Sequence, residues 1–292
     1  MRADIEFFRI IAAFGVVWFH AELDVWRSIA YGGLIYFVIL SSYFSMVSRR
    51  QYTLFDRVRR IVLPYFFWFI FYFLFLFFAN KSINPKNLPL ISYIVTSPSV
   101  HLWFLPFVFM VLCSIDVIKK IMDNNHRYIV CIFSALFSVI LIVVSPIWRT
   151  YSLPVPLAQY IHVTAAVFIG IFLSCSHNVS KSVVLSLILM LISSMLWVIY
   201  LNQPAIGVSY LVGFMPCVLL LAKESFFGKS SLILFVANMS FGVYLVHMFW
   251  VMILRHFDVT GVALPITSFL LSILCVWMMK RYLPKRFSEY II

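Results

Sequence analysis

The chain has 292 residues, of which 64% are hydrophobic and 11% charged, with a mean hydropathy of +1.03 and a formal net charge of +12. An ordinary soluble domain holds about 45–50% apolar and about 25% charged residues, and a soluble core has no room for this much apolar surface. The composition therefore excludes a water-soluble globular protein and predicts an all-α, polytopic membrane helix bundle.

A helix needs about 20 mostly apolar residues to cross the hydrocarbon core, at about 1.5 Å rise per residue. In chain order this predicts about ten spans, at 5–23, 29–48, 60–79, 101–118, 127–145, 159–175, 182–201, 206–222, 231–253 and 260–280. The first is expected to be retained, because Ala12-Ala13 lies inside it and no A-x-A cleavage site follows. The stretch LPLISYIVTSPSV before the fourth span and PIWRTYSLPVP after the fifth read as interfacial or re-entrant pieces on one side. No internal repeat, linker or low-complexity tract interrupts the pattern, so residues 1–292 are expected to form one membrane domain.

Charge sets the orientation. With the N-terminus in the cytoplasm, the cytoplasmic segments hold sixteen Lys and Arg and the opposite segments five, namely Arg27, Lys81, Lys86, Arg149 and Arg255. That is a positive-inside bias with both termini cytoplasmic, and it accounts for the net charge without nucleic acid. The five cysteines sit singly in apolar runs and read as small hydrophobes, not as a disulfide framework.

The first span contains Arg9 and His20, eleven residues apart in RIIAAFGVVWFH. That spacing is three helical turns plus about 20°, so both lie on one face, about 16 Å apart along the axis. Arg9 either snorkels to headgroups beside Glu6, three residues back, or serves a site; His20 is either an interfacial residue beside Glu22 or a functional one.

Four further stretches come in order. RVRRIVLPYFFW (57–68) packs three arginines before a span that begins Pro64-Tyr65. FVILSSYFSM (37–46) lies in the second span, HLWFLP (101–106) opens the fourth, and SFGVYLVH (240–247) lies in the ninth. With R-x10-H in the first span, this ordered set resembles the acyltransferase-3 family of integral membrane acyltransferases over nearly the whole chain. R-x10-H is the most specific element, and R-x-x-R before Pro-Tyr, carried by Arg57 and Arg60, is the next. One departure stands in the second span, where the family usually has Gly after Ser and this chain has Ser41-Ser42-Tyr43.

The resemblance implies about ten spans with cytoplasmic ends, and transfer of an acyl group, usually acetyl, from cytoplasmic acetyl-CoA to a hydroxyl of a glycan or lipid-linked sugar. It also implies a bacterial inner membrane, through the family's glycan-modifying members. His20 is then the expected catalytic base, its imidazole suited to proton transfer near neutral pH, or else a group that is itself acylated. Glu22 or Asp24 would be accessories to its ring. Arg9 is an expected donor-site residue, and Arg57, Arg59 and Arg60 an expected clamp for the phosphates of CoA. Arg49 and Arg50 read as topological charges. His101 and Trp103 are either acceptor-side residues or an aromatic anchor at the interface. Ser240, Tyr244 and His247, spaced four and three apart, share a face that lines the cavity or bonds helix to helix. His162 reads as structural, and His126, His177 and His256 as loop or span-end residues. No metal site and no Gly-rich phosphate loop is expected.

Two competing functions are weighed. A transporter or flippase for a lipid-linked sugar or other solute suits ten spans with buried cations, but predicts repeat symmetry and broken helices in matching halves. A polysaccharide polymerase predicts a large outer loop, and the outer loops here are short. An acyltransferase raises a question of sidedness: acetyl-CoA is cytoplasmic, while His20 falls near the outer end. A cavity crossing the bundle, with the pantetheine arm pointing outward, reconciles the two.

Overall fold

The computed structural model describes residues 2–21, 26–79, 81–84, 87–122, 126–151, 153–222, 228 and 230–292. Among them every regular element is helical and no strand occurs. The helices are α1 (Ala3–Ala21), α2 (Arg27–Val47), α3 (Leu54–Arg57), α4 (Leu63–Phe78), α5 (Leu90–Thr96), α6 (Phe104–Ile121) and α7 (Arg127–Trp148). They continue as α8 (Leu157–Cys175), α9 (Lys181–Tyr200), α10 (Pro204–Phe214), α11 (Ser231–Ala237), α12 (Ser240–His256), α13 (Ala263–Tyr282) and α14 (Lys285–Ile291). A π-helical turn, Val58–Val62, fuses α3 to α4, and a 3₁₀ turn, Val100–Trp103, leads into α6.

Helix underlies each of the ten predicted segments, but among the described residues eight are long and apolar enough to cross a membrane alone. A ninth qualifies only as a bent pair, α11 with α12, broken by 55°. The remaining one, α1, carries Asp4, Glu6 and Arg9 in its first two turns. LPLISYIVTSPSV contains the seven-residue helix α5, tied to α4 by the Tyr65 hydroxyl, which donates to the Ile94 carbonyl.

Lipid-facing patterning is plain along α7. Cys131, Ser134, Ala135, Ser138, Ile142 and Ser145 are buried, while Ile129, Phe133, Leu136, Ile140 and Ile147 are exposed. Large apolar residues point outward and small or polar ones inward, the reverse of a soluble helix, because lipid rewards apolar surface and close helix contact rewards small residues. Ser138 Oγ bonds the Ser134 carbonyl in its own helix and, at 3.2 Å, the Ala165 carbonyl of α8. The same division recurs on α13, with Ser268, Ser272 and Val276 inside and Ile266, Leu270 and Leu274 outside.

Helix α2 is the central element, packed by α1, α6, α8 and α10. Its small residues set the crossings. A Cβ on Gly33 would lie 2.3 Å from the Ala12 carbonyl oxygen, so the Ala12–Gly15 stretch of α1 and Ala30–Gly33 of α2 touch backbone to backbone. A Cβ on Gly170 of α8 would lie 2.7 Å from Ser42 Cβ. Ser42 therefore occupies the crowded place in the second span where a small side chain is required.

One end of the bundle is tied by ion pairs. Arg57 forks onto Asp116 of α6 (2.8 and 3.0 Å) and reaches Ser45 Oγ of α2 at 2.9 Å. Lys119 Nζ donates to the Ser45 and Ser48 carbonyls at 2.9 and 2.7 Å, capping α2 with a cation. The last helix docks at the same group of elements: Trp68 Nε1 donates to the Ile291 carbonyl at 2.8 Å, and Arg59 lies over the Tyr290 ring.

Candidate active site

Three histidines from distant parts of the chain converge. His20 lies in the last turn of α1, His101 in the 3₁₀ turn before α6, and His247 two turns into α12. Ring centroids are 4.8 Å apart for His101–His247, 5.3 Å for His20–His247 and 6.2 Å for His20–His101. His101 and His247 are buried to 2% and 0% exposure, and His20 is partly exposed.

Each ring is held. His247 Nδ1 lies 2.7 Å from the Tyr244 carbonyl. A carbonyl only accepts, so Nδ1 carries the hydrogen and Nε2 is left as the lone-pair acceptor. Nε2 is buried and has no hydrogen-bond partner among the described residues. His101 Nδ1 shares a hydrogen bond with Ser99 Oγ at 2.9 Å, and its Nε2 likewise lacks a partner of hydrogen-bond geometry. The Tyr244 hydroxyl donates to the His101 carbonyl, so the two segments hold each other. Native interiors rarely leave buried polar atoms unpaired, and two such nitrogens lie here beside His20.

Surrounding elements fix this geometry. The Tyr72 hydroxyl accepts from Phe249 N–H (3.2 Å) and donates to the Leu245 carbonyl (2.8 Å), two groups that ordinarily bond each other within a helix. Its ring meets that of His101 at 5.3 Å. Arg255 donates to the His20 and Ala21 carbonyls at 3.3 and 2.8 Å, satisfying orphan acceptors at the end of α1. A small cavity of about 30 Å³, bounded by Val16, His20, Tyr31, His101, Trp103 and Tyr244, opens at the cluster. That is room for about one water-sized group. Among the described residues no set of three His, Cys, Asp or Glu side chains converges as metal ligands.

The other predicted residues fall as follows. Trp103 is buried in the cavity wall against Tyr160, with centroids 5.9 Å apart. Ser240 is buried at the start of α12, two turns from His247. Arg9 lies at the opposite end of α1, bonded to the buried Glu6 at 2.6 Å, and with Arg2, Tyr43 and Phe44 lines a cavity of about 410 Å³. Arg57 is buried in its pairing with Asp116. Arg59 and Arg60 are exposed, Arg59 over Tyr290 and Arg60 over Tyr52. Ser45 of α2, which bonds Arg57, directly follows Tyr43 and Phe44 of the Arg9 cavity, so all the predicted donor-side arginines share one end of the bundle. Glu22 and Asp24 lie outside the described residues.

Sequence reading did not single out Tyr72, Ser99 or Arg255. A signal for Tyr72 was present: Tyr65, Trp68 and Tyr72 follow one helical face and are all buried, while Phe66, Ile70 and Leu74 are exposed.

The family model for the acyltransferase domain of type 3 matches residues 2–281, almost the full chain. No curated protein and no solved structure gives a significant match. The chain belongs to the acyltransferase-3 family and is a multi-pass membrane acyltransferase.

Proposed function

We propose that this protein is an O-acetyltransferase of the bacterial inner membrane. It takes acetyl from cytoplasmic acetyl-CoA and delivers it to a hydroxyl of a cell-envelope polysaccharide or its lipid-linked precursor. The observation that carries this reading is the convergence of His20, His101 and His247 at one end of α1 while Arg9 stands at the other.

In this reaction the imidazole of His20 removes the proton of the acceptor hydroxyl as its oxygen attacks the thioester carbonyl carbon. The carbon–sulfur bond then breaks, and the departing thiolate takes the proton back from the imidazolium. His247 acts as a positioning residue. With Nδ1–H fixed on the Tyr244 carbonyl, its Nε2 is available to accept a hydrogen bond from His20 or from the hydroxyl that His20 activates. The cavity lined by Arg2 and Arg9, with Glu6 also in its wall, is the donor end in this reading, and the exposed Arg59 and Arg60 add charge there. The donor's thiol arm would run from there toward His20, about 16 Å along the helix. The family match favours acyl transfer over solute transport.

The test is mass spectrometry of envelope glycans from cells making wild type, His20→Ala or Arg9→Lys at matched membrane levels. O-acetylation present with wild type and absent with His20→Ala is the expected result. Undiminished acetylation with His20→Ala overturns the proposal.

A further inference from the structure

A third cavity, of about 380 Å³, opens between the end of α1, the start of α2, the end of α7 and α8. Its size falls in the range of small-molecule sites, roughly 300–1,000 Å³. His162 lines it, 9% exposed, with Nδ1 lacking a hydrogen-bond partner among the described residues. Gln159 Oε1, also in the lining, is buried and unpartnered in the same sense. Tyr31 and Trp148 stand 5.2 and 6.4 Å from the His162 ring, centroid to centroid. Arg27 and Arg149 complete the wall as exposed cations, Arg27 over the Phe19 ring at 4.8 Å.

Phe19 and Tyr31 also line the small cavity at His20 and His101, so the two spaces share a wall of two aromatic rings. A cavity of this size, walled by the exposed cation Arg149 and by the rings of Tyr31 and Trp148, describes a site for a ligand with a sugar face and negative charge.

We propose that this cavity holds the acceptor sugar and selects one that carries an oxyanion, the carboxylate of an acidic sugar or the phosphate of a glycan phosphate. The role as acceptor site rests on the transfer reaction proposed above. Arg149 pairs with the oxyanion. Trp148 and Tyr31 present ring surface to the sugar. The hydroxyl to be acetylated then points past Phe19 and Tyr31 toward His20.

The experiment uses the full-length protein in phosphatidylcholine nanodiscs and follows binding of three probes by calorimetry: neutral maltotriose, tri-galacturonate and maltotriose bearing a terminal phosphate. Acetyl-CoA binding, read as a shift in thermal midpoint, is measured on the same samples. One or both charged probes should bind on the order of tenfold tighter than maltotriose, with a preference that weakens as salt rises. Which charged probe binds identifies the oxyanion. Arg149→Gln should erase the preference, and Arg149→Lys should keep part of it. Equal binding of all three probes, or a preference unchanged in Arg149→Gln, overturns the proposal even where acetyl-CoA stabilises the protein. A preserved preference with no acetyl-CoA stabilisation overturns the acceptor role through the reaction instead, leaving a site for anionic sugars without the transfer.

Discussion

His101 and His247 meet edge-on with ring centroids 4.8 Å apart, and neither Nε2 makes a hydrogen bond of good geometry among the described residues. The pairing is built by the backbone as much as by the rings. Tyr244 contributes its carbonyl to His247 and its hydroxyl to the His101 carbonyl, so one residue of α12 sets both. His20 joins them from α1, on a helix end that Arg255 fastens to α12.

Removing a general base lowers a rate by about 10²–10⁴-fold. Steady-state transfer of labelled acetyl from acetyl-CoA should therefore fall by that much in His20→Ala. His247→Ala should fall less, and in kcat rather than in the KM for the donor, because in the proposed reaction it positions His20 and does not touch the donor. An equal loss in both variants would assign the proton transfer to the pair. A loss confined to KM in His247→Ala would contradict its placement at the reacting end.

Arg57 has a structural duty that its motif does not advertise. It forks onto Asp116 with both side chains largely buried, so removal of the carboxylate leaves a guanidinium without its partner. Breaking such a pair costs about 3–5 kcal/mol, whereas replacing both members by apolar residues is often neutral. Asp116→Ala should lower the thermal midpoint clearly, and Arg57→Met with Asp116→Leu should recover most of it. If the double variant also regains wild-type affinity for acetyl-CoA, Arg57 is a scaffold and the phosphates are held by other cations. If stability returns without affinity, Arg57 does both.

Much of this arrangement was legible in the sequence. Helix periodicity placed Arg9 and His20 on one face, and the 4,3 spacing placed Tyr244 and His247 together. The sequence could not bring His101 to His247, because they meet through tertiary packing and share no local pattern. Nor could it tell Arg57 from Arg59 and Arg60, since all three stand in one basic run and only Arg57 points at Asp116. The neighbours of His162, Tyr31 of α2 and Trp148 of α7, likewise come to it by tertiary packing, and no motif near it in the chain announces them.

The glycines give a separate prediction, independent of any chemistry. A Cβ at Gly33 meets the Ala12 carbonyl at 2.3 Å and one at Gly170 meets the Ile39 carbonyl at 2.5 Å, both backbone atoms that cannot rotate away. Overpacking of this kind costs about 1–3 kcal/mol. Gly33→Ala and Gly170→Ala should each reduce yield in detergent and lower the thermal midpoint. Gly228→Ala, with nothing among the described residues within 4 Å of the added carbon, should do neither. Equal stability of the three variants would mean that α2 does not cross α1 and α8 at these points.

Arg9 needs two variants to separate its roles. It bonds Glu6 at 2.6 Å, and Glu6 is only 4% exposed, so Arg9→Ala leaves a buried carboxylate unpaired and damages the fold before it touches the reaction. Arg9→Lys keeps a cation for Glu6 but loses the planar fork that grips phosphate with two bonds. Arg9→Lys should therefore hold its thermal midpoint near wild type while the KM for acetyl-CoA rises, on the order of tenfold for about 1.4 kcal/mol of lost binding. Arg9→Ala should lose stability and activity together. A lysine variant with unchanged KM would confine Arg9 to its pairing with Glu6, and the donor would then have to be held elsewhere, with the exposed Arg59 and Arg60 the next to substitute.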